Sequence, residues 1–265
     1  MTRHDTFPEH AIAQKDFILA TDLDGTFLGG SDAERQHFYN WIEDNRPRVG
    51  LIFVTGRDPE HIRHLTQEKG VPRPDYAICD VGTTIAEVTQ DHVLTPLAPL
   101  EVPIVTAWAN ATDRVKQALQ DTAGLTLQPT AFRHRVSYDL DPAAFDAQVL
   151  DVITDMGLDA LVSDNRFLDV LPKGISKGPS LVRLLDHLGI HHAKTLVAGD
   201  TLNDLSMLEL GLPAVAVGGS EEALRIKVAA MEHVHKADGI GVAGITEAIL
   251  AHRLFNTPGG AGYVI

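Results

Sequence analysis

Two aspartates two positions apart, Asp22 and Asp24, close the unbroken apolar run Phe17-Ile18-Leu19-Ala20 through Thr21, and Gly25 follows at once. Side chains two apart on an extended chain point the same way, so a strand ending there aims both carboxylates at one spot beyond the sheet. Two like charges that close repel. The pairing is tolerable where a cation sits between them or one carboxyl keeps its proton, and both are what a nucleophile paired with a general acid/base requires. Polar groups also close two later apolar runs: Leu51-Ile52-Phe53-Val54 ends in Thr55-Gly56-Arg57, and Thr195-Leu196-Val197-Ala198-Gly199 ends in Asp200, with Asn203 and Asp204 just beyond.

Strands and helices in alternation must hold these groups in place. Ser31 and Glu34 have the spacing of a capping box, and Phe38, Trp41 and Ile42 then recur at helical spacing. After Leu51–Val54, a buried strand of the kind found in parallel sheets, Asp58 as cap, Pro59 in the first turn, Ile62 and Leu65 on one face and Gly70 as the stop define a second helix. Tyr76-Ala77-Ile78-Cys79 is a third strand, ending at Asp80-Val81-Gly82-Thr83. This rhythm predicts an α/β, doubly wound, Rossmann-like parallel sheet, with ligands at the carboxyl ends of its strands.

The rhythm stops between about residues 84 and 169. Val115 and Leu119, then Phe145, Val149, Val152, Ile153 and Met156, have amphipathic helical spacing, while residues 135–140 alternate as a half-exposed strand, so an α+β insertion is expected. The alternation resumes with a helix bearing Leu181, Leu184, Leu185 and Leu188, the Thr195 strand, a helix with Leu205 and Leu208, a strand at 214–217, a helix from about Glu221, a short strand near Val234 and a last helix at 248–254. The expected division is a loose extension at 1–15, a core of 16–84 and 170–265, and an inserted α+β domain at 85–169.

Asp22-Leu23-Asp24-Gly25-Thr26 resembles the first motif of the haloacid dehalogenase (HAD) superfamily, and motifs similar to its other three stand downstream in the right order. The resemblance implies an aspartyl-phosphate intermediate with Asp22 as nucleophile, Asp24 as acid/base, Thr55 and Gly56 gripping the phosphoryl group with Arg57 beside them, and Lys177 neutralising charge. Lys173 competes for that last place; Lys177 directly precedes the helix leading to the fourth motif, Gly199-Asp200-Thr201-Leu202-Asn203-Asp204. The implied cofactor is Mg²⁺, held by Asp22, Asp200 and the Asp24 backbone carbonyl, with Asn203 and Asp204 acting from behind them. An aspartate at the second position of the first motif leaves phosphatase or phosphomutase chemistry.

The insertion, placed after the third strand, matches a C2-type cap. Leu168-Asp169-Val170-Leu171-Pro172, the extended first motif and Asp80-Val81-Gly82-Thr83 are similar to sucrose-phosphate phosphatases. The resemblance therefore implies a sugar-phosphate substrate, sucrose 6-phosphate or a similar glycosyl-sugar phosphate, with Arg133, His134 and Asn165 as candidate contacts to sugar hydroxyls. Arg135, Asp164 and Arg166 are further polar candidates on the same insertion. A glycosyl-phosphate synthase is a candidate partner. Broad hexose or nucleotide phosphatase activity is the alternative, and a non-catalytic sugar-phosphate-binding module is disfavoured by the intact acid/base.

A formal net charge of −14 argues against nucleic acid or anionic membrane as the main partner. No apolar run approaches the roughly 18 residues of a membrane helix. The single cysteine, Cys79, excludes an internal disulfide and fits a cytoplasmic setting.

Overall fold

The computed structural model describes residues 11–256. In chain order its strands are β1 (Phe17–Thr21), β2 (Val49–Val54), β3 (Tyr76–Cys79), β4 (Thr84–Val88), β5 (Leu94–Pro96), β6 (Leu125–Leu127), β7 (Val136–Leu140), β8 (Leu158–Ser163), β9 (Phe167–Pro172), β10 (Thr195–Gly199), β11 (Ala214–Gly218) and β12 (Val234–Ile240). They form two sheets. The larger runs β12-β11-β10-β1-β2-β3-β4-β5 and the smaller β6-β7-β9-β8.

In the larger sheet β1 lies between β10 and β2 and pairs parallel with both. Its alternate residues enter different cores. Phe17 and Leu19 pack with Phe38, Trp41, Ile62 and Ile245 on one face, whereas Ile18 and Ala20 pack with Leu181, Leu184 and Met207 on the other. Burial on both faces is why β1, β2 and β10 read as continuous apolar runs rather than alternating ones. Each large apolar side chain so buried contributes about 1.5–3 kcal/mol, enough for the flanking helices to hold the sheet fixed beneath its polar tips.

The expected capping signals are realised, although the last helix, expected at 248–254, runs Val242–Ala251. Ser31 and Glu34 form a reciprocal capping box, and the Asp58 side chain accepts from the His61 backbone N–H with Pro59 in the first turn. The helix Lys177–Leu188 ends at Gly189 with its backbone left-handed. The smaller sheet is entirely antiparallel, and Val115, Leu119 and Ile153 from two helices cover it around Tyr138, Leu168 and Val170.

The strand pairing departs from the expected boundaries. After Asp80-Val81-Gly82-Thr83 the chain turns back, and β4 and β5 add antiparallel to the edge of the larger sheet, so that sheet continues to Pro96. At the other end β9 stays in the smaller sheet through Pro172. Residues 1–10 of the expected loose extension lie outside the described residues, and Ile12, within it, is buried against Ile18 in the core.

Candidate active site

The carboxyl ends of β1, β2, β3 and β10 converge, as a doubly wound sheet requires at the point where strand order reverses. Asp22 stands directly after β1, Thr55 after β2, Asp80 after β3 and Asp200 after β10. Just past β1, Gly25 takes φ +79°, and any side-chain carbon there would run into the Asp200 carboxylate; the glycine is what lets the β1 loop approach the β10 loop this closely.

Lys177 is the hub. Its ammonium is fully buried and donates to Asp22 Oδ1 at 2.6 Å, Asp204 Oδ1 at 2.6 Å and Asn203 Oδ1 at 2.7 Å. Burial works against its charge, yet Asp204 and Asp22 outweigh that and push its pKa up, so it stays a cation. Asp204 spends its second oxygen on the backbone N–H groups of Asp200 and Thr201, at 2.8 and 3.0 Å. Both of its oxygens are thus occupied, and it orients the others rather than facing a ligand. Lys173, the competing lysine, makes no hydrogen bond or ion pair with this cluster.

The carboxylates carry more charge than one lysine offsets. Oxygens of Asp22, Asp200 and Asp204 lie within 4.8 Å of one another. Burial, then the nearby Asp204 and Asp200, push the Asp22 carboxyl well above the usual range although Lys177 opposes this. Burial and Asp204 push Asp200 up to about 7 against a 2.7 Å hydrogen bond from Thr26 Oγ1. Three carboxylates against one ammonium leave a formal excess of two negative charges, and hard oxygen donors in that balance fit a divalent cation such as Mg²⁺. Asp22 and Asp200, whose oxygens are not all committed, are the side chains that could hold it.

Asp24 lies on the rim. Its half-exposed carboxylate accepts from Arg57 Nε at 2.7 Å and Nη2 at 2.9 Å. Burial pushes the Asp24 carboxyl up, but the hydrogen bonds and charge of Arg57 outweigh this and hold it below its ordinary value. Arg57, expected beside the phosphoryl group, is thus engaged with Asp24. Thr55 is buried, its hydroxyl accepting from the Arg57 backbone N–H at 3.1 Å.

Above this cluster lies a cavity of about 450 Å³. Asp22, Asp24, Gly56, Arg57, Asp200 and Asn203 line it from the larger sheet, and Gln128, Thr130, Ser163, Asp164, Phe167 and Asp169 from the smaller one. Of the expected sugar contacts, Arg133, His134 and Asn165 are not on the cavity wall. Arg133 is drawn away by Glu101, with bonds of 2.8 and 3.0 Å, and by Thr84 Oγ1. Asn165 is exposed in the β8–β9 turn at φ +48°, so its neighbour Asp164 reaches the cavity instead. Gln128, Thr130 and Phe167 escaped the sequence reading because each needs the two sheets juxtaposed, whereas Arg135, Asp164 and Asp169, in residues already singled out, carried a signal.

A doubly wound sheet with this carboxylate and lysine cluster at its carboxyl edge, roofed by an inserted α+β layer, is the arrangement that the resemblance to HAD phosphatases implies. The chain belongs to the sucrose-6F-phosphate phosphohydrolase family, whose profile matches residues 15–253. It is 31% identical over 203 residues to mannosylfructose-phosphate phosphatase of Agrobacterium fabrum, covering 73% of this chain and 79% of that one. It is 38% identical over 234 residues to glucosylglycerol-phosphate synthase of Pseudomonas anguilliseptica, covering 88% of this chain but spanning only 30% of the synthase. Its fold matches the Synechocystis sucrose-phosphatase solved with sucrose and phosphate, with a TM-score of 0.81 over 92% of this chain and all of that one, at 24% identity. Among the described residues no helix is long and apolar enough to cross a membrane.

Proposed function

We propose that this chain is a Mg²⁺-dependent phosphatase acting through an aspartyl-phosphate on the phosphate monoester of a glycosylated sugar or polyol. The observation that carries the reading is the buried Lys177 joining Asp22 to Asp204 beside Asp200, at the floor of a cavity open to the smaller sheet. Lys177 engages Asp22 Oδ1, so attack on phosphorus falls to Oδ2; the ester P–O bond breaks as the Asp24 carboxyl delivers a proton to the departing alcohol. Asp24 then takes a proton from the water that cleaves the acyl phosphate, releasing inorganic phosphate and restoring Asp22. To reach either partner Asp24 must leave Arg57, which keeps it ionised, and take up from solvent the proton it then delivers; the freed guanidinium is placed to meet phosphoryl oxygens. The side chains of Asp22 and Asp200, with the Asp24 backbone carbonyl, would hold Mg²⁺, which supplies positive charge against which an anionic phosphoryl group can approach an anionic nucleophile.

Activity on p-nitrophenyl phosphate is therefore expected to vanish on exhaustive dialysis against a chelator and to return with Mg²⁺. Full activity in the chelated protein would refute the metal requirement.

The cavity wall supports an uncharged remainder of the substrate. Beyond the phosphoryl floor it offers Gln128, Thr130 and Ser163 as hydrogen-bonding groups, Phe167 as an apolar face, and Asp164 and Asp169 as acids. Arg57 and Arg135, the cations lining it, already face carboxylates. A second anionic group would meet repulsion, whereas a sugar with many hydroxyls and apolar C–H faces suits the lining. The relatives named for mannosylfructose phosphate and glucosylglycerol phosphate share that chemistry, which also makes a glycosyl-phosphate synthase the natural supplier of substrate and a candidate partner. In a panel of phosphates, sucrose 6-phosphate, mannosylfructose phosphate or glucosylglycerol phosphate is expected to show the highest kcat/KM. If nucleotides or simple hexose phosphates lead by tenfold or more, about 1.4 kcal/mol of transition-state preference, broad HAD phosphatase activity replaces this reading.

A further inference from the structure

Arg135 is buried at the boundary between the two sheets, one residue before β7. Its guanidinium works in both directions. On the smaller sheet Nη1 donates to Ser137 Oγ at 2.8 Å and to Asp169 Oδ1 at 2.9 Å, and Ser137 donates to the same Asp169 oxygen. On the larger sheet Nη2 donates to the Gly56 carbonyl at 3.0 Å and lies 3.3 Å from Asp80 Oδ1. Asp80 and Asp169 are themselves buried, so one cation is shared by two carboxylates that belong to different sheets.

The groups it touches on the larger sheet are those that place the phosphoryl-gripping residues. Asp80 and Val81 both adopt left-handed backbone, at φ +54° and +57°, a conformation that a β-branched residue enters only when its surroundings impose it. The Asp80 N–H donates to the Arg57 carbonyl at 2.9 Å and the Val81 N–H to the Thr55 carbonyl at 3.1 Å. Ser180, in the helix that begins at Lys177, donates to the Gly82 carbonyl at 2.7 Å. Thr84 Oγ1 donates to Asp80 Oδ2 at 2.8 Å. This strained turn thus ties the Thr55–Arg57 loop to the Lys177 helix, and Arg135 ties both the turn and the loop to the smaller sheet.

We propose that Arg135 is a positioning residue that sets the smaller sheet in register over the floor of the site and, through the Gly56 carbonyl and the Asp80–Gly82 turn, makes the geometry of the Thr55–Arg57 loop depend on that register. The arrangement needs a planar fork with donors aimed at both sheets; the ammonium of a lysine, a single point of charge, cannot span them. The catalytic consequence rests on the phosphatase reading, while the structural consequence does not.

The test compares wild type with Arg135→Gln and Arg135→Lys by hydrogen exchange and by kinetics on sucrose 6-phosphate and p-nitrophenyl phosphate. In Arg135→Gln, amide exchange in peptides covering residues 55–58 and 80–84 is expected to quicken at least tenfold, with β1, β10 and the smaller sheet within threefold of wild type. The ratio of kcat/KM for the sugar phosphate over the aryl phosphate is expected to fall at least tenfold, chiefly through kcat, since the larger substrate alone must bridge both sheets. Arg135→Lys should lie between the two, and it carries the same test should the glutamine variant not fold. Unchanged exchange at those peptides, a uniform rise across both sheets, or wild-type behaviour of Arg135→Lys would overturn the proposal. If wild type hydrolyses neither probe, the phosphatase reading fails, and the exchange pattern judges Arg135 by itself.

Discussion

Asp22→Asn is expected to lower turnover of every phosphate ester by about 10⁴-fold or more while leaving a folded protein. Asparagine keeps the shape and an oxygen to accept from Lys177, but it has no charge with which to attack phosphorus. The fold should not suffer, because the native carboxylate is held at a cost. Burial, Asp204 and Asp200 push its pKa well up, so ionised Asp22 weakens the folded state as pH rises. Neutral asparagine removes that repulsion, and in metal-free buffer near neutral pH the variant should melt at or above the wild-type temperature. Single-turnover assays with a thermal melt decide the matter. A folded Asp22→Asn protein that still turns over at a tenth of the wild-type rate would assign the nucleophile elsewhere.

How much of this site can be read without coordinates depends on how far each residue's job reaches. Asp22, Thr55 and Asp200 are legible because each closes a strand buried on both faces, and such strands announce themselves as unbroken apolar runs. Residues 84–88 are less legible. Thr84-Ile85-Ala86-Glu87-Val88 carries no helix before it, so the alternation reads as stopping there, whereas the four residues Asp80-Val81-Gly82-Thr83 turn the chain back into an antiparallel strand. A turn that depends on left-handed backbone at an aspartate and a valine has no residue signature. β12 runs on to Ile240 although only its first residue is fully buried, since an edge strand held by β11 needs no apolar run.

Side chains that meet across the two sheets are the hardest to foresee. Arg133 and Arg135 are both arginines in one short stretch, yet the first is claimed by Glu101 and the second reaches the floor of the site. Nothing local separates them; the partner does. The same holds for Arg57, whose neighbourhood on the chain suggests a phosphate contact and whose partner in the structure is Asp24.

The sharpest stability effect should come from Lys177→Met. Methionine has a similar length and suits an apolar site, but it leaves the acceptors Asp22, Asp204 and Asn203 without their shared donor. Breaking a buried ion pair by removing one partner typically costs about 3–5 kcal/mol, because the remaining charge is neither solvated nor paired. Asp22 and Asp204 are both buried, so the loss should fall at the upper part of that range in metal-free buffer. Its pH dependence has a definite sign. The Asp22 carboxyl is already pushed up by burial, and losing the lysine that opposes this pushes it higher. A carboxyl with a raised folded-state pKa favours folding while it is protonated and loses that advantage as pH rises through the folded-state value. The deficit of Lys177→Met relative to wild type should therefore be smaller at pH 5 than at pH 8, and Mg²⁺ should recover part of it at pH 8 by supplying the missing positive charge. Activity should fall by about 10³-fold, the loss expected when a buried, fixed charge facing the reacting group is removed. Urea unfolding of both proteins at the two pH values, with and without Mg²⁺, tests this directly. A Lys177→Met protein as stable as wild type at pH 8 without metal would mean that the carboxylates are not held by this lysine, and the charge balance that favours a divalent cation would have to be redrawn.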